Sequence, residues 1–292
     1  MYKVKLYGAK EYWCQVPRIE QGFKGLGHEV VSGDDYDFIY ANNFDFGVKD
    51  SEHGDSAIYE GENYLPKSGF KILNVLDIPP HNPDFPIDKL KDQLSLANIV
   101  TCISEPVKKQ LSDIGVESQN IWNPIKDVFY DPQVKREINC LYVGRANDPN
   151  KRFNLLENIE KIIVGPIGVK PNGNYLGLVN DAYLNQLYNS AKVVALPSKF
   201  EGLGLPALEA MVCGAVPLVC SDNPNSNLCP DFCVAEPTVE SITKTYNGLI
   251  NHFTHYQSVI LDEWSSYIQH KFSKFSIAKN IINLYEEYHD NK

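Results

Sequence analysis

Short apolar runs alternate with amphipathic helical text from residue 3 to about residue 219, and this alternation admits few folds. Residues 3–7, 29–31, 36–41, 70–75, 99–103 and 120–122 read as strands, with helical stretches at 16–26, 90–96 and 105–114 among them. Strands that alternate with helices form parallel sheets covered on both faces. Asn123-Pro124, Asp131-Pro132 and the polar stretch 133–137 interrupt the pattern, which resumes with a strand at 138–143. A helix from about Phe153, strands at 161–164, 175–178, 193–196 and 216–219, and helices at 182–191 and 206–213 follow. From Val239 onward the text is helical. The 292 residues suffice for two α/β lobes. We expect an N-terminal lobe over residues 1–133, a second lobe over 134–274, and a C-terminal helix over 275–292 that packs back on the first lobe.

Composition narrows the function classes. With 43% hydrophobic residues, the chain has the means to bury a core. It carries 37 acidic and 27 basic residues, a net charge of −10, and its arginines are Arg18, Arg136, Arg145 and Arg152. Such a surface disfavours a mainly electrostatic binder of nucleic acid or anionic membrane. The seven cysteines are odd in number and show no CxxC pair, so reduced, buried thiols are expected. No apolar run approaches the ~20 residues that cross a bilayer. The first ten residues alternate like a strand, which points to a cytoplasmic location.

The chemistry concentrates in residues 196–211, LPSKFEGLGLPALEAM. A buried strand ends at Pro197, a loop carries Glu201, two glycines permit close backbone approach, and Pro206 suits the first turn of a helix. Backbone N–H groups and the positive helix end would face a phosphate at the carboxyl edge of a parallel sheet. Glu209 lies about one turn into that helix. On spacing alone, solvated carboxylates beside a shaped turn remain an equal alternative. Upstream, a strand runs into Gly144-Arg145, with Lys151 six residues further on and Arg152 beside it as an alternate cation. Arginine offers a planar fork and lysine a point charge for neutralising a diphosphate.

Glu201 and Glu209, separated by seven residues within FEGLGLPALEAMVCG, closely resemble the E-x7-E signature of retaining glycosyltransferase family 4. The Gly144-Arg145…Lys151 element resembles that family's G-R…K element, and residues 175–179 with Leu184, Leu187, Tyr188 and Ala191 resemble its G-x-V…LY…A segment. The resemblance implies a GT-B fold, two Rossmann-like doubly wound lobes facing across a cleft, with a nucleoside-diphosphate sugar held mainly by the C-terminal lobe. It assigns Glu209 to the ribose hydroxyls and Glu201 to the transferring sugar. Gly144 and the amides of Gly202, Leu203, Gly204 and Leu205 would lie against sugar and phosphate, and Val179 near the nucleobase. Arg145 and Lys151 would stand in for a divalent metal. No metal and no cofactor is expected beyond a UDP- or GDP-sugar as substrate.

Departures from the family pattern fall in the first lobe. The Gly-Gly pair usual after the first strand is here Gly8-Ala9, and Leu76 occupies the place of a family histidine, leaving Asp77 and His81 as acceptor-side candidates. The expected acceptor is a saccharide, lipid or other glycan hydroxyl. The 26 asparagines and 23 lysines against four arginines, with the short first lobe, suggest a phage or viral chain in a host cytoplasm. A hydroxymethylated viral DNA base is therefore an alternative acceptor. A nucleotide-sugar epimerase or a non-catalytic nucleotide-sugar-binding protein are the readings from other classes.

Overall fold

The computed structural model describes residues 1–7, 15–42, 68–76, 78, 87–166 and 174–292. Two compact units emerge, one formed by Met1–Pro124 with Phe272–Lys292, the other by Ile125–Lys271.

In the first unit the order is β1 (Lys3–Tyr7), α1 (Val16–Gly25), β2 (Glu29–Val31), β3 (Phe38–Asn42), β4 (Phe70–Val75), α2 (Ile87–Leu94), β5 (Ile99–Cys102), α3 (Glu105–Asp113) and β6 (Gln119–Asn120). All strand pairs are parallel, in the order β2-β1-β3-β4-β5-β6. Helix caps follow local chemistry: Pro17 opens α1, and the Ser104 hydroxyl accepts from the Val107 N–H at the start of α3. Val4, Ile19, Phe23, Phe38 and Ile72 share one core with Ile277, Ala278 and Ile281 of the C-terminal helix (Lys274–Asp290). That helix lies so close to α1 that a Cβ on Gly22 would stand 2.3 Å from the Lys274 carbonyl oxygen.

The second unit runs β7 (Ile138–Val143), two 3-10 turns (Pro149–Lys151 and Phe153–Leu156), β8 (Ile162–Val164), β9 (Asn174–Gly177), α4 (Asp181–Ser190), β10 (Ala191–Leu196), α5 (Leu205–Val212), β11 (Val216–Cys220) and β12 (Val234–Ala235). Helices α6 (Val239–Asn251) and α7 (Phe253–Val259), a π-turn (Ile260–Ser265) and α8 (Ser266–Lys271) complete it. The helix expected from Phe153 is absent. Arg152 adopts left-handed backbone (φ 47°) and splits the segment into two single turns. The unit begins at Ile125 instead of near residue 133, because the backbone N–H groups of Lys126, Phe129 and Asp131 donate to Glu209, Asn185 and Asn189.

The second sheet is again all parallel, in the order β12-β11-β10-β7-β8-β9. Read from β9, this is the 3-2-1-4-5-6 order of dinucleotide-binding folds, whose ligands lie at the carboxyl ends of the two strands where the winding reverses. Those strands are β7 and β10. In the first sheet the reversal falls between β1 and β3, which lead into residues 8–14 and 43–67, outside the described residues.

Cys102, Cys140, Cys213, Cys220, Cys229 and Cys233 are free and buried. Burial pushes the thiols of Cys140, Cys213 and Cys229 up to about 12 and that of Cys220 to about 11, so none is a thiolate at neutral pH. These six thiols are expected to stay unlabelled by an aromatic disulfide reagent in the native protein and to react once it is denatured. Rapid native labelling at any of them, read by peptide mass spectrometry, would contradict their burial. No described helix is long and apolar enough to cross a membrane.

Candidate functional site

Two loops meet at the reversal point of the second sheet. After β7 the chain turns at Gly144, whose N–H donates to the Val164 carbonyl (2.8 Å). Gly165 comes so near that a Cβ there would stand 2.1 Å from the Gly144 carbonyl oxygen. Gly165→Ala must push the Gly144-Arg145 turn away from β8. We expect it to cost about 2 kcal/mol, seen as a lower urea midpoint; an unchanged midpoint would mean the turn yields freely.

Arg145 follows directly, its side chain 43% exposed and in a long ion pair with Asp148 (3.4 Å). Asp148 accepts from the Asn150 N–H and so closes the turn that carries Lys151. The Lys151 ammonium meets Glu201 Oε1 at 2.6 Å, with the two side chains only 16% and 12% exposed. Asn150 joins the two loops: its amide donates to the Phe200 carbonyl (2.8 Å), while the Phe200 and Lys199 N–H groups donate to its side-chain and backbone oxygens. Arg152, the alternate cation, faces elsewhere and makes a two-pronged pair with Asp222 at 2.7 and 2.9 Å. Adjacent basic residues thus do separate jobs, one at the glutamate and one as a brace.

Glu201 leads through Gly202 and Leu203 to Gly204, which caps α5 with a left-handed φ of 79° that suits glycine. The N–H groups of Gly202, Leu203, Gly204 and Leu205 have no acceptor among the described residues. They lie at the amino end of α5, where orphan N–H groups and the helix dipole favour an anion. Glu209, one turn into α5, is 2% exposed. Its Oε1 accepts from the Lys126 N–H (3.1 Å) and its Oε2 from the Tyr188 hydroxyl (2.9 Å). Burial and the neighbouring Glu209 charge raise Tyr188 well above the usual phenol range, so the phenol keeps the proton it donates. Val179 is half-buried two residues beyond β9, on the same carboxyl edge.

Sequence reasoning therefore brings Gly144, Arg145, Lys151, Glu201, the Gly202–Leu205 amides and Glu209 to one edge of one sheet. It misses Asn150, Asp222 and Asn225, polar loop residues whose partners are distant in sequence. Asp77 and His81 lie outside the described residues, as do Gly8 and Ala9. No group of three or more His, Cys, Asp or Glu side chains is placed to hold a metal among the described residues.

Fold and site together define a two-unit α/β protein whose second sheet gathers Arg145, Lys151 and the Gly202–Leu205 N–H groups at its carboxyl edge. Residues 127–251, all within the second unit, match the model of the family of group 1 glycosyl transferases. Over 48 residues the chain is 56% identical to the O-antigen chain mannosyltransferase B of Escherichia coli, covering 16% of this chain and 12% of that protein. Over 124 residues it is 29% identical to an uncharacterized glycosyltransferase of Methanocaldococcus jannaschii, covering 41% and 32%. The chain thus spans a third or less of each of these two curated relatives. Among solved structures, Anabaena HepE in complex with UDP and glucose is similar with a TM-score of 0.70 at 15% identity, covering 98% of this chain and all of that one. Sucrose-phosphate synthase from Thermosynechococcus elongatus reaches 0.72 at 12% identity, with full coverage of both. At these identities the likeness is one of fold, the two-lobed α/β architecture of GT-B glycosyltransferases.

Proposed function

We propose that this protein is a retaining glycosyltransferase of the family 4 type, moving a sugar from a nucleoside diphosphate to an acceptor hydroxyl. The observation that carries the proposal is the Lys151–Glu201 pair on the same loop edge as the Gly202–Leu205 amides, which have no acceptor among the described residues, with Arg145 at the reversal point of the sheet. In the reaction the bond between the anomeric carbon and the diphosphate oxygen breaks, and its electrons leave with the phosphate. Arg145, Lys151 and the amino end of α5 are placed to stabilise that charge, as preorganised dipoles and cations do. The acceptor oxygen bonds to the same face of the sugar and passes its proton to a phosphate oxygen, which preserves configuration without a protein nucleophile. Glu201 orients the sugar. Glu209, held by Tyr188 and Lys126, meets the ribose, and Val179 lies toward the base.

A UDP- or GDP-linked hexose is the donor class we favour, and the stretch shared with an O-antigen mannosyltransferase favours a saccharide acceptor. The net charge of −10 weighs against DNA as acceptor. A ligand that binds only the native state raises apparent stability, so a thermal-shift panel of UDP-, GDP- and ADP-sugars should show a rise with one nucleoside. The product from that donor should keep the anomeric configuration, and turnover should survive a chelator. No shift with any donor, or an inverted product, would overturn the proposal.

A further inference from the structure

We propose that Asn225 is a positioning residue that aims the Gly202 and Leu203 amides at the transferring group, an inference that rests on the glycosyltransferase reading. Asn225 sits in the loop after β11 and is 7% exposed. Its side-chain amide donates to two successive carbonyls of the glutamate loop, Glu201 O at 2.5 Å and Gly202 O at 3.2 Å. In a planar trans peptide the carbonyl of one residue and the N–H of the next point in opposite directions. Holding the Glu201 and Gly202 carbonyls toward Asn225 therefore turns the Gly202 and Leu203 N–H groups away from it, and these have no acceptor among the described residues.

The platform behind Asn225 is itself fixed. Its backbone N–H donates to Asn223 Oδ1 (3.0 Å), the Asn223 amide donates to the Ser198 carbonyl (3.3 Å), and Asp222 at the head of the loop holds Arg152. The loop after β11 is thereby braced to the loops after both β7 and β10. Asparagine suits the post because it offers two N–H groups from one nitrogen, while aspartate of the same shape would set a carboxylate against two carbonyl oxygens. Charge grows on the leaving phosphate only as the glycosidic bond breaks, so misaimed amides cost more in turnover than in ground-state binding.

The test compares wild type with Asn225→Asp and Asn225→Ala, using the nucleotide-sugar that gives the largest thermal shift. Turnover and donor KM are measured together with amide hydrogen exchange of Gly202 and Leu203 in the donor-free protein. We expect Asn225→Asp to lower kcat at least 30-fold with KM changed less than about threefold, and both amides to exchange differently from wild type while the sheet amides do not. Asn225→Ala should lose less, since it removes the clamp without adding repulsion. A kcat within threefold of wild type in Asn225→Asp, or unaltered exchange at both amides, overturns the assignment. If wild type turns over no nucleotide-sugar yet the two amides respond as expected, the glycosyltransferase reading falls and the positioning of the loop by Asn225 stands.

Discussion

Replacing Arg145 by alanine is expected to lower nucleotide-sugar turnover by about 10³-fold while leaving the fold intact. The two halves of this expectation come from different features of the residue. Its side chain is 43% exposed, and its ion pair with Asp148 is long and solvated; such pairs contribute well under about 1 kcal/mol. Removing it therefore costs the native state little. In the proposed reaction the guanidinium faces charge that develops on the departing diphosphate, and loss of one preorganised electrostatic contact of that kind costs about 10²–10³ in kcat. The upper end is expected because Arg152 is engaged with Asp222 and Lys151 already has its own share in stabilising that charge, so neither replaces the lost guanidinium. Arg145→Lys should recover only part, since a point charge does not reproduce the planar fork. Steady-state rates at saturating donor, alongside thermal unfolding, make the check. Turnover within tenfold of wild type, with an unchanged melting temperature, would remove Arg145 from the reaction.

Arg136→Ala is expected to do the reverse, destabilising the second unit by about 3 kcal/mol. Arg136 donates to the carbonyls of Tyr188 (2.9 Å) and Ala191 (2.6 Å) at the end of α4, and to that of Cys213 at the end of α5. Helix ends leave carbonyls without intrahelical partners, and their partial negative charge favours a cation. Hydrogen bonds from a charged group contribute about 1.5–3 kcal/mol each, offset by the desolvation of a guanidinium buried to this degree. Burial lowers its pKa, though arginine stays charged at any working pH. The rings of Tyr130 and Phe253 lie 5.8 and 6.0 Å from the guanidinium carbon and add cation–π attraction. A shift of about 6–12 °C in the melting of this unit follows from its size. Arg136→Lys should recover less than half, since an ammonium cannot span both helix ends. A melting temperature within 2 °C of wild type would show that α4 and α5 are held by packing alone.

These two arginines show where sequence reasoning reaches and where it stops. Arg145 was legible because it follows a strand and a glycine and precedes Lys151 by six residues, a local pattern that fixes its place at the end of β7. Arg136 has no local pattern. It stands in a polar stretch that reads as a linker, yet its partners lie 52 to 77 residues further on. The same distinction separates Lys151 from Arg152. Nothing in the neighbouring letters says which of them turns toward Glu201, and the answer depends on Asp222 arriving from the loop after β11. The false helix at Phe153 has the same origin, since the left-handed backbone at Arg152 accompanies that distant ion pair.

Strand and helix text, glycine placement and the spacing of Glu201 and Glu209 determined the class of fold and most of the chemical groups, because periodicity and backbone freedom are properties of neighbouring residues. Tertiary structure alone decided the order β12-β11-β10-β7-β8-β9, which sets β7 beside β10 and so brings Lys151 within 2.6 Å of Glu201. It also decided that Asn150, Asp222, Asn223 and Asn225 brace those loops. Hydrogen bonds and ion pairs between residues 23 to 70 positions apart leave no periodic trace in a sequence, and they exist only once the sheet has set its strands side by side.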